Sequence, residues 1–255
     1  MSESIQCVLA DNSGPMTLDG TNTWLVSAPG STRAVVIDPG PDDEKHLAAV
    51  LAAADERGLQ VVSTLLTHGH LDHSAGARRF AELSGSEVRA LDPAHRYGGA
   101  GLHDGEVLDL DGLRLEVVAT PGHTTDSLSF LLPELQALLT GDTVLGRGTA
   151  VIAYPDGRLG EYLASLARMR DVCGAAGVNR LLPGHGPVLP RPAEVLDGYL
   201  THREARLEQV RQAVAAGATT APEVVAAVYT ELVDPVLKAA AELSVLAQLD
   251  YLDAF

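Results

Sequence analysis

The chain contains little cysteine and few aromatic residues. Only Cys7 and Cys173 occur among 255 residues, without a CxxC spacing, so the sequence carries no disulfide framework and no thiolate metal site. Aromatic residues make up 4% of the chain and hydrophobic residues 46%, which predicts an interior of Ala, Val and Leu in packed layers of strands and helices. The low cysteine content fits a reducing compartment, and we expect a cytoplasmic protein.

Basic residues are also scarce. Lys and Arg number 18 against 34 Asp and Glu, which gives a formal net charge of −16 at pH 7. This charge repels polyanions over the surface as a whole and disfavours stable DNA binding. Bound divalent cations would offset the charge locally, so the net charge does not decide what enters one pocket. The net charge therefore makes a nucleic-acid ligand less expected without excluding one.

The sequence has no long apolar run. No run approaches the roughly 20 residues that a helix needs to cross a bilayer. The N-terminus, Met1-Ser2-Glu3-Ser4-Ile5, lacks a basic region followed by an apolar one. We therefore expect a soluble protein that does not associate with membranes.

Short apolar runs alternate with helical patterns over the first two thirds of the chain. The runs Thr23–Val26 and Ala34–Ile37 predict strands, and Asp38-Pro39-Gly40-Pro41 predicts a turn before a helix at about 42–57. Further strands are expected at 61–66, 113–119, 127–132, 135–140 and 180–182, and further helices at 75–83 and 159–170. This mixture predicts an α/β fold.

The pattern becomes helical after Pro190-Arg191-Pro192, with helices expected at 193–216, 222–231 and 235–252. We therefore predict a larger α/β domain over residues 1–190 and a small helical domain over 191–255. The last part of the chain is acidic and contains only Lys238 as a basic residue, so we do not expect it to bind nucleic acid. It is expected to cover the site entrance or to support a homodimer.

Metal-ligand residues are concentrated in one loop. Thr67-His68-Gly69-His70-Leu71-Asp72-His73 follows the apolar run 61–66 directly. Three imidazoles and one carboxylate at this density indicate metal binding. His68 and His70 are two residues apart and are expected on the same side of the chain, while Asp72 and His73 turn toward a second position. One loop could therefore serve two ions.

Three more candidate ligands lie in separate motifs further along the chain, each in a turn that contains Gly or Pro and follows an apolar run. They are His123 in Pro121-Gly122-His123, Asp142 in Gly141-Asp142, and His185 in Pro183-Gly184-His185. Such turns let one polar side chain project from the edge of a sheet. Imidazole and carboxylate ligands suit zinc, iron or manganese better than calcium, and we expect zinc. The remaining histidines, His46, His95, His103 and His202, lack ligand-like surroundings.

Together these motifs resemble the metallo-β-lactamase superfamily, whose signature is an HxHxDH loop followed by separate His, Asp and His motifs. Over residues 5 to 190 the resemblance implies an αββα sandwich with the site at the edge between the two sheets. It also implies that seven side chains hold two divalent ions: His68, His70 and His123 the first, Asp72, His73 and His185 the second, with Asp142 as the bridge.

A site of this kind implies hydrolysis. Two ions can share a hydroxide because they lower the pKa of its parent water to near 7, and Asp72 can orient the attacking water. True β-lactamases usually lack an Asp bridge at the position of Asp142, so antibiotic hydrolysis is not expected. His70 and the short chain argue against a flavodiiron oxidoreductase. A persulfide dioxygenase, which uses one iron, is not excluded.

Several segments outside the ligand motifs resemble the beta-lactamase-like protein 2 group. They are Gly20–Val26, Gly146–Thr149, Leu159–Leu166 and His202-Arg203-Glu204. That group appends a small winged-helix-like domain, and it includes a single-strand-specific endoribonuclease. We therefore expect a metal-dependent hydrolase of an ester-type or phosphodiester bond, and the resemblance implies a small molecule or a short single-stranded RNA as its substrate. A glyoxalase II-type thioester hydrolase is the alternative, and a noncatalytic metal-binding interaction protein is the alternative of another class.

Residues that select the substrate are harder to predict. The basic residues diagnostic of glyoxalase II would lie near the C-terminus, where Arg203, Arg206 and Arg211 alternate with Glu204 and Glu208, as on a solvated helix face. Tyr154 follows Asp142 closely enough to face substrate, although a buried aromatic fits equally well. Thr124, Thr125 and Asp126 are expected to orient the imidazole of His123.

Overall fold

Two β-sheets account for the strands of residues 4–253, the part of the chain that the computed structural model describes. The first sheet has the order β1-β2-β3-β4-β5. Its strands are Ile5–Leu9, Asn22–Ser27, Arg33–Ile37, Gln60–Leu65 and Glu87–Arg89. Strands β1, β2 and β3 pair antiparallel, whereas β4 is parallel to both β3 and β5.

The second sheet has the order β11-β10-β9-β8-β7-β6. From β6 to β11 its strands are Val107–Leu110, Leu113–Ala119, Leu128–Leu132, Ala137–Gly141, Arg180–Pro183 and Leu189–Pro190. Strands β9 and β10 are parallel, and the other neighbours are antiparallel. As a result β7, β9 and β10 run in the same direction, and their carboxyl ends lie at the same edge of the sheet.

Helices α1 to α7 span Glu44–Asp55, Leu71–Ser74, Ala77–Ser84, Leu159–Ala176, Pro192–Ala215, Ala221–Val228 and Pro235–Asp253. Local signals set several of their ends. The Asp43 side chain accepts a hydrogen bond from the Lys45 amide and caps α1, and Gly85 ends α3 in the left-handed conformation. Thr220 and Glu223 form a capping box at the start of α6. No helix within residues 4–253 has the length and apolar character needed to cross a membrane.

Alternation along the strands explains the layers. In β3, Val35 and Ile37 belong to the core between the two sheets, whereas Ala34 and Val36 pack in the core beneath α1 and α3. In β9, Leu139 faces the core between the sheets and Leu138 faces the core beneath α4 and α5. Because successive side chains point to opposite faces, each sheet buries both of its faces. The predicted αββα sandwich is confirmed.

Helix α5 joins two cores. Leu196 and Tyr199 pack with α4 against the second sheet, whereas Val210 and Ala213, further along the same helix, pack with α6 and α7. The expected C-terminal helices are present, and residues 191–253 form no strand. The division into two domains at residue 190 stays a prediction. Sequence reasoning missed the strands β1, β5, β6 and β11, which are short or polar on one face.

Candidate metal centre

The seven predicted ligands lie in loops at the carboxyl ends of strands. His123, Asp142 and His185 follow β7, β9 and β10, which end at one edge of the second sheet. The His68 to His73 segment follows β4 of the first sheet and continues into α2. The Leu128 amide donates a 2.7 Å hydrogen bond to the Thr67 carbonyl, which fastens this loop to the second sheet. The site therefore lies where the two sheets meet.

The first donor group consists of His68, His70, His123 and Asp142. His70 Nδ1 lies 3.0 Å from His68 Nε2 and 3.1 Å from His123 Nε2. His68 and His123 are buried, whereas His70 is exposed. Three ring nitrogens therefore face one point that is open to solvent on the side of His70.

The second donor group consists of Asp72, His73 and His185. His185 Nε2 lies 3.2 Å from His73 Nε2 and 3.1 Å from Asp72 Oδ2. Both imidazoles are buried, whereas the Asp72 side chain is 28% exposed. The Thr21 hydroxyl donates a 3.1 Å hydrogen bond to Asp72 Oδ2 and helps to fix this carboxylate.

Asp142 reaches both groups. Its Oδ2 lies 3.3 Å from His185 Nε2 and 3.8 Å from His123 Nε2. Its Oδ1 lies 3.4 Å from His73 Nε2 but makes no hydrogen bond of normal geometry within the described residues, although it is buried. A buried carboxylate oxygen without a donor is costly unless a cation satisfies it. The position of Asp142 fits a bridging ligand.

The outer nitrogen of each buried imidazole is already in use. His123 Nδ1 donates to the Val151 carbonyl at 2.7 Å, and His185 Nδ1 donates to the Gly20 carbonyl at 3.1 Å. A carbonyl can only accept, so the proton of a neutral ring sits on Nδ1 and the lone pair of Nε2 points into the site. Convergent lone pairs repel one another unless a cation lies between them. The donor set therefore fits two divalent ions with nitrogen and oxygen ligands.

The side-chain electrostatics differ between the two groups. Burial and the charge of His73 hold the pKa of His68 well below its usual value, and burial lowers the pKa of His123 to about 4. Burial also opposes a charge on His185, but Asp142 and Asp72 raise its pKa to about 9. Burial would raise the pKa of Asp142, but His73 and His185 lower it well below its usual value. The carboxylates thus favour positive charge in the second group, which is the charge that a divalent ion would supply there.

Sequence reasoning missed Asp38. Its backbone has φ of 52°, and its buried carboxylate accepts a 2.9 Å hydrogen bond from His73 Nδ1. The same carboxylate accepts hydrogen bonds from the Thr67 amide and hydroxyl at 2.8 and 2.7 Å. It therefore orients both His73 and the start of the histidine loop. Like Asp142, Asp38 directly follows a buried strand, and this signal could have identified it.

Other expectations about the surroundings of the ligands require correction. Thr124 bonds Asp126 and Ser127, and Thr125 bonds Asp156, so the partner of His123 is the Val151 carbonyl instead. Tyr154 belongs to neither donor group. It packs against the core beneath α4 with the Arg158 guanidinium 5.2 Å from its ring centre, and its predicted substrate contact stays a prediction.

A third donor group, Asp92, His95 and Asp126, lies beside the first. A Cβ on Gly69 would clash with His95 Nε2, so His95 packs directly on the backbone between His68 and His70. Asp92 is three residues from His95 in the sequence, but Asp126 and Gly69 come from distant segments, so the sequence alone did not indicate this group. The close approach explains why position 69 is a glycine.

The part of the sequence that carries these histidines and aspartates matches a known protein family. The sequence pattern described as "Metallo-beta-lactamase superfamily" matches residues 16–185, more than half of the chain. The chain belongs to the metallo-β-lactamase superfamily. The recognition from the ligand motifs is thereby confirmed, and the two donor groups fit the divalent metal ions that this superfamily typically binds.

Curated relatives refine the position within the metallo-β-lactamase superfamily. A beta-lactamase-like protein 2 homolog from Caenorhabditis elegans is 31% identical and aligns with 82% of this chain and 70% of its own length. An atrochrysone carboxyl ACP thioesterase from Aspergillus fumigatus is 32% identical and aligns with 91% of this chain and 75% of its own length. Both relatives therefore match most of the chain, and one of them is named as a thioesterase.

Solved structures of the superfamily share the fold. A metallo-beta-lactamase family protein from Thermus thermophilus superposes with a TM-score of 0.80 at 22% identity. The match covers 98% of this chain and 93% of that protein. It therefore extends over the C-terminal helices as well as the two sheets.

Proposed function

We propose that this chain is a dinuclear metal-dependent hydrolase that cleaves thioesters and uses zinc. The observation that carries the proposal is the placement of Asp142 between two histidine groups at the open edge of the sandwich. His68, His70 and His123 would hold one ion, Asp72, His73 and His185 the other, and Asp142 would bridge them. When bound, the ions supply activation of water near neutral pH and polarisation of the acyl carbonyl.

The protein has no cysteine suited to covalent catalysis within its described residues. Burial raises the pKa of Cys7 to about 11 and that of Cys173 to about 12. Both therefore stay protonated at neutral pH, and a thiol in that state is a weak nucleophile. This favours direct attack by water over a covalent acyl-enzyme.

Asp72 is the residue that we propose to orient the attacking water. Burial would raise its pKa, but hydrogen bonds from His185 and His73 lower the pKa well below its usual value, so the carboxylate is ionised. Its 28% exposure keeps an oxygen within reach of solvent, while Thr21 holds its orientation. A fixed, ionised carboxylate at the solvent side can orient a water molecule for attack.

The choice of a thioester is supported by the relatives. The relative named an atrochrysone carboxyl ACP thioesterase aligns with 91% of the chain, so the similarity includes the loops around the site as well as the ligands. The net charge of −16 repels a polyanion such as RNA. Phosphodiester cleavage is the second candidate, because the beta-lactamase-like protein 2 homolog also matches the chain.

A substrate panel tests the proposal. Acyl coenzyme A thioesters, nitrophenyl esters and short single-stranded RNA are offered to the zinc-loaded wild type, to Asp142→Ala and His70→Ala, and to the surface controls Asp111→Ala and His103→Ala. We expect thioester hydrolysis that falls by about 10²-fold or more in the first two variants, the scale of losing a transition-state charge interaction. The surface controls retain it.

Two other outcomes would overturn the proposal. Cleavage of RNA without thioester hydrolysis would assign the chain to the phosphodiester branch. A folded, metal-loaded protein that is inert toward the whole panel would favour the noncatalytic metal-binding interaction protein. Circular dichroism of each variant separates a loss of chemistry from a loss of fold.

A further inference from the structure

A cavity with a basic lining lies between the catalytic loops and the C-terminal helices. Its volume is about 250 Å³, and it is bordered by Thr149, Ala150 and Val151 on one side and by α5, α7 and the connection between α6 and α7 on the other. Its lining includes His202, Arg203 and Arg206 and, within the described residues, no Asp or Glu. In a chain with 34 acidic and 18 basic residues, this concentration of positive charge is unusual.

Arginines elsewhere on the surface are mostly neutralised by carboxylates. Examples are Arg33 with Asp111, Arg79 with Glu44, Arg147 with Asp19, Arg158 with Asp250, Arg168 with Asp104 and Arg170 with Asp197. Arg211, on the same helix as the cavity arginines, pairs with Glu208 at 3.5 Å. Over residues 4–253, neither Arg203 nor Arg206 forms an ion pair with a carboxylate.

Arg203 is buried although the sequence predicted a solvated helix face. Arg203 is only 7% exposed, and its Nη2 donates a hydrogen bond to the Ala150 carbonyl. Its guanidinium carbon lies 4.9 Å from the centre of the Tyr162 ring. Its Nε is buried and has no hydrogen-bond partner within the described part of the chain. A desolvated cation without an anion is unfavourable, and an anion bound beside it would remove this penalty.

Arg206 extends the positive region toward solvent, beside the exposed side chain of His202. Arg206 is half-buried, stacks 4.3 Å from the Tyr229 ring centre and donates to Gln209 at 2.8 Å. Burial and the charges of Arg203 and Arg206 lower the pKa of His202. Planar guanidinium groups match phosphate oxygens in charge and geometry. The cavity therefore presents two guanidinium groups that match the charge and shape of a phosphate.

The cavity is also tied to the metal centre. Val151 lines the cavity, and its carbonyl accepts the hydrogen bond from His123 Nδ1. The Ile152 amide donates to the Ser244 hydroxyl on α7 at 3.2 Å. The cavity wall and the metal centre thus share Val151. A substrate that used both places would carry a phosphate at one end and a reactive bond at the other. A phosphopantetheine arm has this form, because a long flexible chain separates its phosphate from its thioester sulfur.

We propose that this cavity is a substrate subsite that binds the phosphate of a phosphopantetheine thioester through Arg203 and Arg206. The identity of the phosphate carrier rests on the proposed thioester hydrolysis, whereas the presence of an anion site does not. The phosphate could come from coenzyme A or from the modified serine of an acyl carrier protein, and both present the same group.

Isothermal titration calorimetry of the zinc-loaded protein tests the subsite directly. The probes are 4′-phosphopantetheine and pantetheine, which carry the same thiol and differ in the phosphate. We expect the phosphorylated probe to bind about tenfold more tightly to the wild type, the scale of one charge-assisted hydrogen bond. The ratio should fall to about one in Arg206→Gln and stay unchanged in Arg211→Gln, the matched control on the same helix.

A second variant guards against a folding defect. Leu237→Glu places a carboxylate at the cavity lining and leaves both arginines unsubstituted. The added negative charge should abolish the preference for 4′-phosphopantetheine over pantetheine in the same way. A wild-type ratio near one would overturn the subsite. So would an unchanged ratio in Arg206→Gln, because the phosphate would then bind elsewhere, for instance at the metal ions.

Kinetics with the same acyl group on coenzyme A and on a carrier protein then identify the source. Arg206→Gln should raise KM for both substrates about tenfold with little change in kcat, because the phosphate is remote from the reacting bond. The wild-type ratio of kcat/KM for the two substrates shows which carrier is preferred. If the wild type hydrolyses neither substrate while the calorimetric preference persists, the anion site stands and the thioester proposal fails.

Discussion

The carboxylate of Asp38 accepts a hydrogen bond from Nδ1 of His73 at 2.9 Å, and both side chains are buried. The bond leaves His73 Nε2 directed at Asp142, Asp72 and His185. Two further hydrogen bonds from Thr67 hold the same carboxylate, so Asp38 fixes an imidazole and the loop that carries it. An acceptor behind a metal-ligating histidine sets its tautomer and raises its basicity.

Asp38→Asn is expected to weaken binding of the second ion by about 10- to 100-fold, the usual cost of losing an outer carboxylate partner. Asn tolerates the left-handed backbone at this position, so the fold should persist. Zinc competition titrations with a chromophoric chelator measure the change. Asp111→Asn is the matched control, because Asp111 also has a positive φ but lies at the surface beside Arg33. Equal zinc affinity in both variants would contradict the role of Asp38.

Gly184→Ala is expected to disable the site. A Cβ at Gly184 would clash with Asp142 Oδ1 and lie 2.7 Å from His73 Cε1, so the methyl group must displace the bridging carboxylate. We expect zinc content to fall to one ion or less per chain and hydrolysis to fall by about 10²-fold or more. Elemental analysis and initial rates measure the two effects.

The control for this substitution is Gly174→Ala. Gly174 lies within α4, and a Cβ there would meet no atom within 4 Å. Alanine favours a helix over glycine by up to about 1 kcal/mol, so this variant should be active and slightly more stable. A fully active Gly184→Ala protein would show that the carboxylate can move without consequence, against its proposed bridging position.

Because of His46, the free energy of unfolding is expected to fall as the pH drops below neutral. Its ring is buried and lies 2.8 Å from the Thr23 hydroxyl, and burial lowers its pKa below the ordinary value near 6.5. As the pH falls, His46 in the unfolded chain takes up a proton at a higher pH than His46 in the folded protein. The contribution of His46 to the free energy of unfolding is therefore fully present above pH 6.5 and is lost as the pH falls toward the pKa of the folded state. Urea unfolding of the metal-loaded protein at about pH 7.5 and about pH 5.5 should show a smaller decline in His46→Gln than in the wild type. His103→Gln, at an exposed position, should decline like the wild type, and an identical decline in all three proteins would contradict the assignment.

Removal of metal is expected to lower the melting temperature. Chelation leaves Asp142 Oδ1 buried without a partner and leaves imidazole nitrogens facing one another at 3.0 to 3.2 Å. Zinc at about 100 times its dissociation constant contributes about 2.7 kcal/mol, which corresponds to a shift of about 5–10 °C for a chain of this size. Differential scanning calorimetry should show that zinc restores the melting temperature and that magnesium does not, because magnesium prefers oxygen ligands. An unchanged melting temperature after chelation would mean that the donors do not hold ions.

The sequence predicted the layered fold because its strands are apolar runs that end in Gly or Pro turns. Leu182-Pro183-Gly184-His185 shows both signals, and the structure places His185 at the end of β10 as expected. The seven candidate ligands were found for the same reason, and the structure brings them together in two groups. Their role as ligands stays a prediction.

Features that depend on the backbone or on distant segments could not be predicted. The acceptor for His123 is the carbonyl of Val151, and a backbone carbonyl has no sequence signature. Arg203 alternates with glutamates in the sequence, yet α5 turns it inward against Tyr162 because the loop at Ala150 packs over it. His95 lies beside the site only because the segment at 92–95 folds back onto Gly69.

The most direct test is the metal content of the purified protein, measured by inductively coupled plasma mass spectrometry on the wild type and on His185→Ala. Convergence of the seven side chains on two cations predicts about two transition-metal ions per wild-type chain, mostly zinc, and about one in the variant, because His185 serves only the second group. Wild-type protein that retains no transition metal after zinc loading, or equal loading of the two proteins, would contradict a dinuclear centre.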